Sequence, residues 1–234
     1  MKLIVFQIFT LFVLSCSTTK QESIVELDSN WEFKSENDKD YLPASVPGTV
    51  HLDLLQNGKI DDPFFRLNEH KLQWIDKLDW EYRTSFDVND SHFNYEAIEL
   101  DFFGLDTYAD VFLNDSLIYS SENMFIGKTV HVKKKIKKGK NNLLVKFKSP
   151  IDVGIEKYDK LAYRLPDNAN DLSEIGKVPG NKKVGVFERK APYSFGWDWG
   201  PRLVTSGIWR PIKINFWNNF QIKDLHFTQK IEDD

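Results

Sequence analysis

Alternating side chains over residues 79–88 (DWEYRTSFDV) constrain the fold of this chain most strongly. Trp80, Tyr82, Phe86 and Val88 are separated by polar residues, the two-residue period of a strand with one buried face. Further short strand patterns follow, with turn-forming residues between them, at 97–105, 107–113, 116–120, 129–136, 142–148, 208–217 and 222–229. This spacing predicts an all-β protein built as an antiparallel β-sandwich or jelly roll.

Two short helices interrupt the strand pattern. The first is predicted after Thr49, which suits a helix N-cap, and before Gly58, which suits a helix end. The second is predicted over 151–164, where apolar residues recur at helical spacing and Pro166 follows. The polar segment 165–185 after it has no periodicity, and such long segments in compact domains are usually functional or disordered.

Composition describes a globular protein with an aromatic core. The chain has 234 residues, of which 41% are hydrophobic and 14% aromatic, enough for one large domain. Its formal net charge of −4 argues against a nucleic-acid partner. The lysine-rich run at 133–140 is interpreted as a solvated edge strand and turn, because edge strands commonly carry lysine.

The N-terminus resembles a bacterial lipoprotein signal. Lys2 precedes a short apolar run at 3–14, which is too short to span a bilayer but suits a signal-peptide core. We therefore expect a signal peptide over 1–15, lipid attachment at Cys16 and a polar tether over 16–24. These features predict an exported protein anchored to a membrane, in the periplasm or at the cell surface. Leu14 stands where a smaller residue is more usual, and a chance cysteine after an ordinary signal peptide is the alternative.

Motifs for metal or nucleotide chemistry are absent from the sequence. The 5 histidines are scattered, and no HExxH, CxxC, GxSxG or glycine-rich phosphate loop occurs. We therefore expect no metal ion and no cofactor. Acidic residues are plentiful, but the sequence cannot place two of them at the separation that a glycosidase requires, so no catalytic pair is nominated.

The segment 194–202 (SFGWDWGPR) is the strongest candidate for a binding site. A sugar presents hydroxyl groups at its edge and C–H groups on its faces, so its site needs aromatic walls and a carboxylate acceptor. Trp197, Trp199 and Asp198 supply both, and the flanking glycines permit an irregular backbone. The alternative is an aromatic cluster that closes one end of the sandwich, with Asp198 capping a loop amide.

Residues 189–214 (RKAPYSFGWDWGPRLVTSGIWRPIKI) resemble the signature segment of the β-mannosidases of glycoside hydrolase family 2. Residues 46–86 and 102–115 resemble the start and middle of the same N-terminal domain, so the resemblance covers about 25–225. One departure from the family pattern is Pro192, which precedes Tyr193 and removes a backbone donor.

The resemblance implies a jelly-roll, galactose-binding-like β-sandwich over 25–220, with 221–234 as the start of a linker or of the next domain. It implies that Trp197, Asp198 and Trp199 bind the terminal mannose of a β-mannoside or a mannose-containing oligosaccharide. Arg189 and Lys190 are candidates to pair with Asp198, although a solvated basic pair is the alternative.

Catalytic residues are not expected within this chain. In the family a barrel domain carries both catalytic glutamates, and a barrel alone takes about 250 residues. The barrel is therefore the expected partner, on a separate chain or lost. Two alternatives remain open from the sequence: a free-standing carbohydrate-binding lipoprotein, and a truncated remnant without function.

Overall fold

A computed structural model describes residues 22–231 of the chain. Within them lie ten strands: β1 (Glu22–Glu26), β2 (Glu32–Ser35), β3 (Leu42–Pro43), β4 (Trp80–Val88), β5 (Ala97–Phe102), β6 (Tyr108–Leu113), β7 (Ser116–Glu122), β8 (Lys128–His131), β9 (Gly139–Phe147) and β10 (Ile212–Trp217). Three α-helices accompany them: α1 (Val50–Gln56), α2 (Asp90–Phe93) and α3 (Pro150–Lys160). Short 3₁₀ helices occupy Asn68–Lys71, Ile75–Lys77, Pro179–Asn181, Gly185–Phe187 and Pro192–Phe195.

The strands form two antiparallel sheets, which confirms the predicted β-sandwich. One sheet has the order β1-β10-β5-β8, and the other has the order β3-β2-β4-β9-β6-β7. The longest pairing joins β4 to β9, from Trp80 opposite Phe147 to Val88 opposite Gly139. Asn114 and Asp115 both have positive φ and form the predicted hairpin turn between β6 and β7.

The main core lies between the two sheets. Alternate residues of β4, including Trp80 and Tyr82, are buried, as the period-2 pattern predicts. They face buried residues of the other sheet such as Leu100 and Ile214 within one hydrophobic cluster. Helix α1 is attached to this core because the Tyr82 hydroxyl donates a 2.6 Å hydrogen bond to the buried carboxylate of Asp53.

A second, smaller hydrophobic cluster forms beside the sandwich. It consists of Ile151 of α3, Val178, Val184, Phe195 and Val204, all buried. The polar segment 165–185 is therefore folded against α3 although it contains no α-helix or strand. Phe195 belongs to this cluster, so the cluster anchors the start of the candidate binding loop.

The structure corrects several boundaries. The strand predicted over 222–229 does not form, and its apolar side chains, such as Ile222 and Phe227, are exposed. Helix α3 ends at Lys160, four residues before its predicted end at 164, and β1 begins at Glu22, within the range assigned to the tether. The signal peptide at 1–15 and Cys16 lie outside the described residues.

Candidate functional site

The backbone at Gly196 sets the path of the candidate binding loop. Gly196 has φ of +125°, and a Cβ added there would lie 2.6 Å from Leu172 Cγ and 2.7 Å from the carbonyl oxygen of Asn170. Both the positive φ and the close approach require glycine. The Phe195 carbonyl accepts a 2.9 Å hydrogen bond from the Leu172 amide. This bond fixes the backbone just before Gly196, where the loop begins.

The two tryptophans of the loop contact each other and line a cavity of about 640 Å³. Their ring centroids are 5.5 Å apart, and the rings meet edge to face at 69°. Trp199 is 82% exposed, whereas Trp197 is half-buried. The sequence thus predicted two of the cavity's aromatic residues.

Asp198 pairs with neither of its candidate basic partners. It is exposed, it does not line the cavity, and no side chain within residues 22–231 forms a hydrogen bond or ion pair with it. Arg189 is exposed as well, and Lys190 is fully buried against a different carboxylate. The expected pairing of Asp198 with Arg189 or Lys190 is therefore wrong.

A buried ion pair between Lys190 and Asp106 lies beside the cavity. The Lys190 ammonium contacts both carboxylate oxygens of Asp106, and both side chains are at most 1% exposed. Lys190 also donates to the Thr205 carbonyl at 2.8 Å, and the Thr205 hydroxyl donates to Asp106 at 2.7 Å. Asp106 and Thr205 line the cavity. Burial lowers the pKa of Lys190, and the charge of Asp106 opposes that effect.

Trp209 is a cavity residue that the sequence pattern assigned to a strand. It lies before β10, is half-buried and forms part of the cavity wall. Its indole N–H donates a 2.8 Å hydrogen bond to the Met124 carbonyl, and a Cβ at Gly104 would come within 2.6 Å of the same nitrogen. The ring is therefore fixed by its neighbours.

Phe64 and Tyr193 complete the aromatic rim, at 74% and 65% exposure. Phe64 comes from a segment about 130 residues before the loop, so nothing in the local sequence connects the two. Tyr193 lies inside the segment 189–214 that carries the family resemblance. The sequence does not identify it as a cavity residue, because its 65% exposure is visible only in the structure.

Two further buried titratable groups lie near the Lys190–Asp106 ion pair. His51 is buried, and this burial, with the charge of Lys190, lowers its pKa to about 4 against an opposing effect of Asp106. Glu188 is also buried, and its burial raises its pKa to about 7. Both shifts favour the neutral form of the side chain: His51 is almost entirely neutral at pH 7, whereas Glu188 is about half ionised there.

Within residues 22–231, no group of three or more histidine, cysteine, aspartate or glutamate side chains has an arrangement that could hold a metal ion. Over the same range, no helix combines the length and apolarity needed to cross a membrane.

Comparison with known proteins decides the family. The family profile described as glycosyl hydrolase 2 galactose-binding domain-like matches residues 31–210. The chain belongs to this family. It is 36% identical over 211 residues to beta-mannosidase B of Thermothelomyces thermophilus and 32% identical over 202 residues to the beta-mannosidase of Mus musculus.

The chain corresponds to an N-terminal part of these relatives. The matches cover 87% and 86% of the chain but 23% and 22% of the two relatives. The crystal structure of a beta-D-mannosidase from Dictyoglomus thermophilum matches with a TM-score of 0.77 and 43% identity, covering 84% of this chain and 23% of that one. The domain is thus the galactose-binding-like β-sandwich of the β-mannosidase family, and it spans about a quarter of its relatives' length.

Proposed function

We propose that this chain is the sugar-binding N-terminal domain of a β-mannosidase that hydrolyses β-D-mannosides, and that Trp197, Asp198 and Trp199 form part of the site for the terminal mannose. The observation that carries the proposal is the edge-to-face tryptophan pair at the cavity, with the exposed carboxylate of Asp198 between the two tryptophans in the sequence. Aromatic faces suit the C–H surface of a sugar, and a free carboxylate accepts hydrogen bonds from neighbouring hydroxyls. The cavity volume of about 640 Å³ is in the range of small-molecule sites.

This domain binds substrate and leaves the bond-breaking step to another part of the enzyme. Retaining glycoside hydrolysis requires two carboxyl groups about 5–5.5 Å apart on either side of the scissile bond. Asp106 is the carboxylate that lines the cavity among residues 22–231, and Lys190 and Thr205 already occupy it. The catalytic acid and nucleophile therefore belong to the partner domain.

The partner proposed for the rim of the cavity is the catalytic domain of the same enzyme. Phe64, Tyr193 and Trp199 expose large aromatic surfaces on one side of the molecule, and exposed apolar patches commonly mark contact surfaces. The relatives that match this chain are about four times as long as the match, which leaves length for a catalytic domain beside this one. Closure of the cavity by that domain would place the sugar between the two.

Export and lipid attachment at Cys16 complete the proposal. The signal-like run at 1–15 and Cys16 lie outside the described residues, and support for the anchor comes from the sequence alone. A lipid-anchored mannosidase would act on oligosaccharides at the cell surface or in the periplasm.

A chimeric enzyme tests the sugar-binding role. The segment of the Dictyoglomus thermophilum mannosidase that matches this chain is replaced by this chain's own segment, and hydrolysis of a chromogenic β-mannoside is measured. We expect activity in the chimera and none in the isolated chain. Trp199→Ala should raise KM strongly without lowering the unfolding temperature, because the ring is 82% exposed.

The matched control for Trp199 is Tyr163, an exposed aromatic residue that does not line the cavity. Tyr163→Ala should leave KM unchanged. A chimera that hydrolyses the substrate equally well with and without Trp199 would contradict the proposed role of the loop.

A further inference from the structure

The two ends of segment 191–204, which contains the candidate binding loop, meet at one buried polar cluster. Lys190 immediately precedes the segment, and Thr205 immediately follows it. Lys190 bonds to the Thr205 carbonyl at 2.8 Å and to its hydroxyl at 3.0 Å, so the two ends are joined directly. We call the cluster of Asp106, Lys190 and Thr205 the base cluster.

Asp106 connects the base cluster to the sandwich. Its carboxylate contacts Lys190 and accepts hydrogen bonds from the hydroxyls of Thr205 and Thr107. Its backbone pairs with Gly207 through hydrogen bonds of 2.9 and 3.0 Å. The carboxylate therefore holds both ends of the segment against the turn between β5 and β6.

The charges in the base cluster are satisfied within it. The Lys190 side chain is 0% exposed and that of Asp106 is 1% exposed. A buried ion pair commonly contributes little more to overall stability than apolar residues of the same size, although removing one partner alone is costly. A role in overall stability therefore does not explain why charged residues occupy positions 106 and 190. A role in joining three separate segments at one point does explain it.

A second attachment holds the segment at a different place. The buried Arg202 donates hydrogen bonds to Asp76 at 2.6 Å and to Gln73, and its carbonyl accepts one from Gln73 at 2.8 Å. These contacts tie the outgoing part of the segment to the 3₁₀ helices at 68–77. They do not join its two ends, so the base cluster has a distinct role.

We propose that Asp106, Lys190 and Thr205 are positioning residues that fix both ends of segment 191–204 and thereby set the orientation of the Trp197–Trp199 wall in the cavity. None of the three needs to touch the sugar, because their polar groups already bond to one another. The effect on sugar binding rests on the function proposed above, whereas the effect on the loop does not.

Hydrogen–deuterium exchange of the full chain tests the positioning role directly. In the double variant Asp106→Leu/Lys190→Met both charges are removed together, which avoids an unpaired buried charge. We expect amides in 191–204 to exchange about tenfold faster or more, the change that a loss of about 1.4 kcal/mol in local stability produces. Amides of β9 should keep their wild-type rates.

Two other variants make the result specific. Thr205→Val retains the ion pair and should give a smaller acceleration confined to the same segment, which also covers the case in which the double variant does not fold. Glu32→Leu/Arg83→Met removes an exposed ion pair between β2 and β4 and should leave the segment unchanged. Equal acceleration in the segment and in β9 would show a general stabilising role and overturn the proposal, as would wild-type exchange in the folded variants.

Kinetics of the chimera separate this inference from the proposed function. If both hold, the double variant should raise KM for the β-mannoside more than it lowers kcat. Faster exchange in 191–204 with an unchanged KM would support the base cluster and contradict the sugar-binding role of the loop. If exchange in 191–204 is unchanged and KM still depends on Trp199, the sugar-binding role of the loop is supported and the positioning role of the base cluster is overturned.

Discussion

Glu188 provides a quantitative test of the buried charges near the Lys190–Asp106 ion pair. The side chain is 8% exposed, and neither carboxylate oxygen receives a well-formed hydrogen bond. Burial raises its pKa from 4.5 to about 7, and Asp106 adds to that rise. Tyr108, Lys157 and Lys190 offset only part of it. The folded protein therefore favours protonated Glu188, whereas the unfolded chain ionises it at lower pH.

The sign and size of the effect follow from this difference. A carboxyl whose pKa is raised by folding destabilises the folded state once the pH exceeds the unfolded value. The penalty is nearly absent at pH 4, grows between pH 4.5 and about 7, and is constant above that range. The difference between the two pKa values corresponds to about 3 kcal/mol of unfolding free energy. Glu188→Gln, which cannot ionise, should remove this pH-dependent penalty.

Urea denaturation at pH 4, 5, 6, 7 and 8 measures the effect. We expect the stability of Glu188→Gln relative to wild type to rise by about 2–3 kcal/mol from pH 4 to pH 8. Glu156→Gln is the control, because Glu156 is an exposed glutamate of α3 whose one ion pair within residues 22–231 is with Lys160. A relative stability of Glu188→Gln that stays constant with pH would refute the assignment of a raised pKa to this group.

Three further changes have defined outcomes. Gly196→Ala should cost about 1–3 kcal/mol in thermal unfolding, because φ is +125° and Leu172 occupies the space, whereas Gly58→Ala, with open space around it, should cost less. Trp209→Ala should cost about 2–3 kcal/mol, below the value for a fully buried tryptophan, because the ring is half-buried. Cys16→Ala should move the protein from the membrane fraction to the soluble fraction on fractionation; retention in the membrane would contradict lipid anchoring.

Local patterns in the sequence predicted the elements whose periodicity is strong. The nine residues of β4 alternate cleanly, and the turn at 114–115 carries residues that tolerate positive φ. β1, β2 and β3 were not predicted: β1 overlaps the predicted tether, and β2 and β3 have only four and two residues. The pattern at 222–229 resembles a strand, but a strand needs a neighbouring strand, and no described strand pairs with this segment.

The sequence predicted only the part of the candidate site that lies in one segment, 194–202. Trp197 and Trp199 lie together in the sequence, so their shared composition identified the loop. The cavity also needs Phe64, Asp106 and Trp209, which other segments supply. Lys190 is neither paired with Asp198 nor solvated, the two alternatives that the sequence offered, because the fold brings Asp106 to it.

Substitution of Asp198 in the chimeric mannosidase tests the central claim most directly. Charge-assisted hydrogen bonds to a shielded ligand contribute about 1.5–3 kcal/mol each, so Asp198→Ala should lower kcat/KM on the order of 10- to 1,000-fold. The unfolding temperature should stay the same, because Asp198 is exposed and no side chain within 22–231 bonds to it. A folded Asp198→Ala chimera with its full kcat/KM would contradict the assignment of this loop to the mannose site.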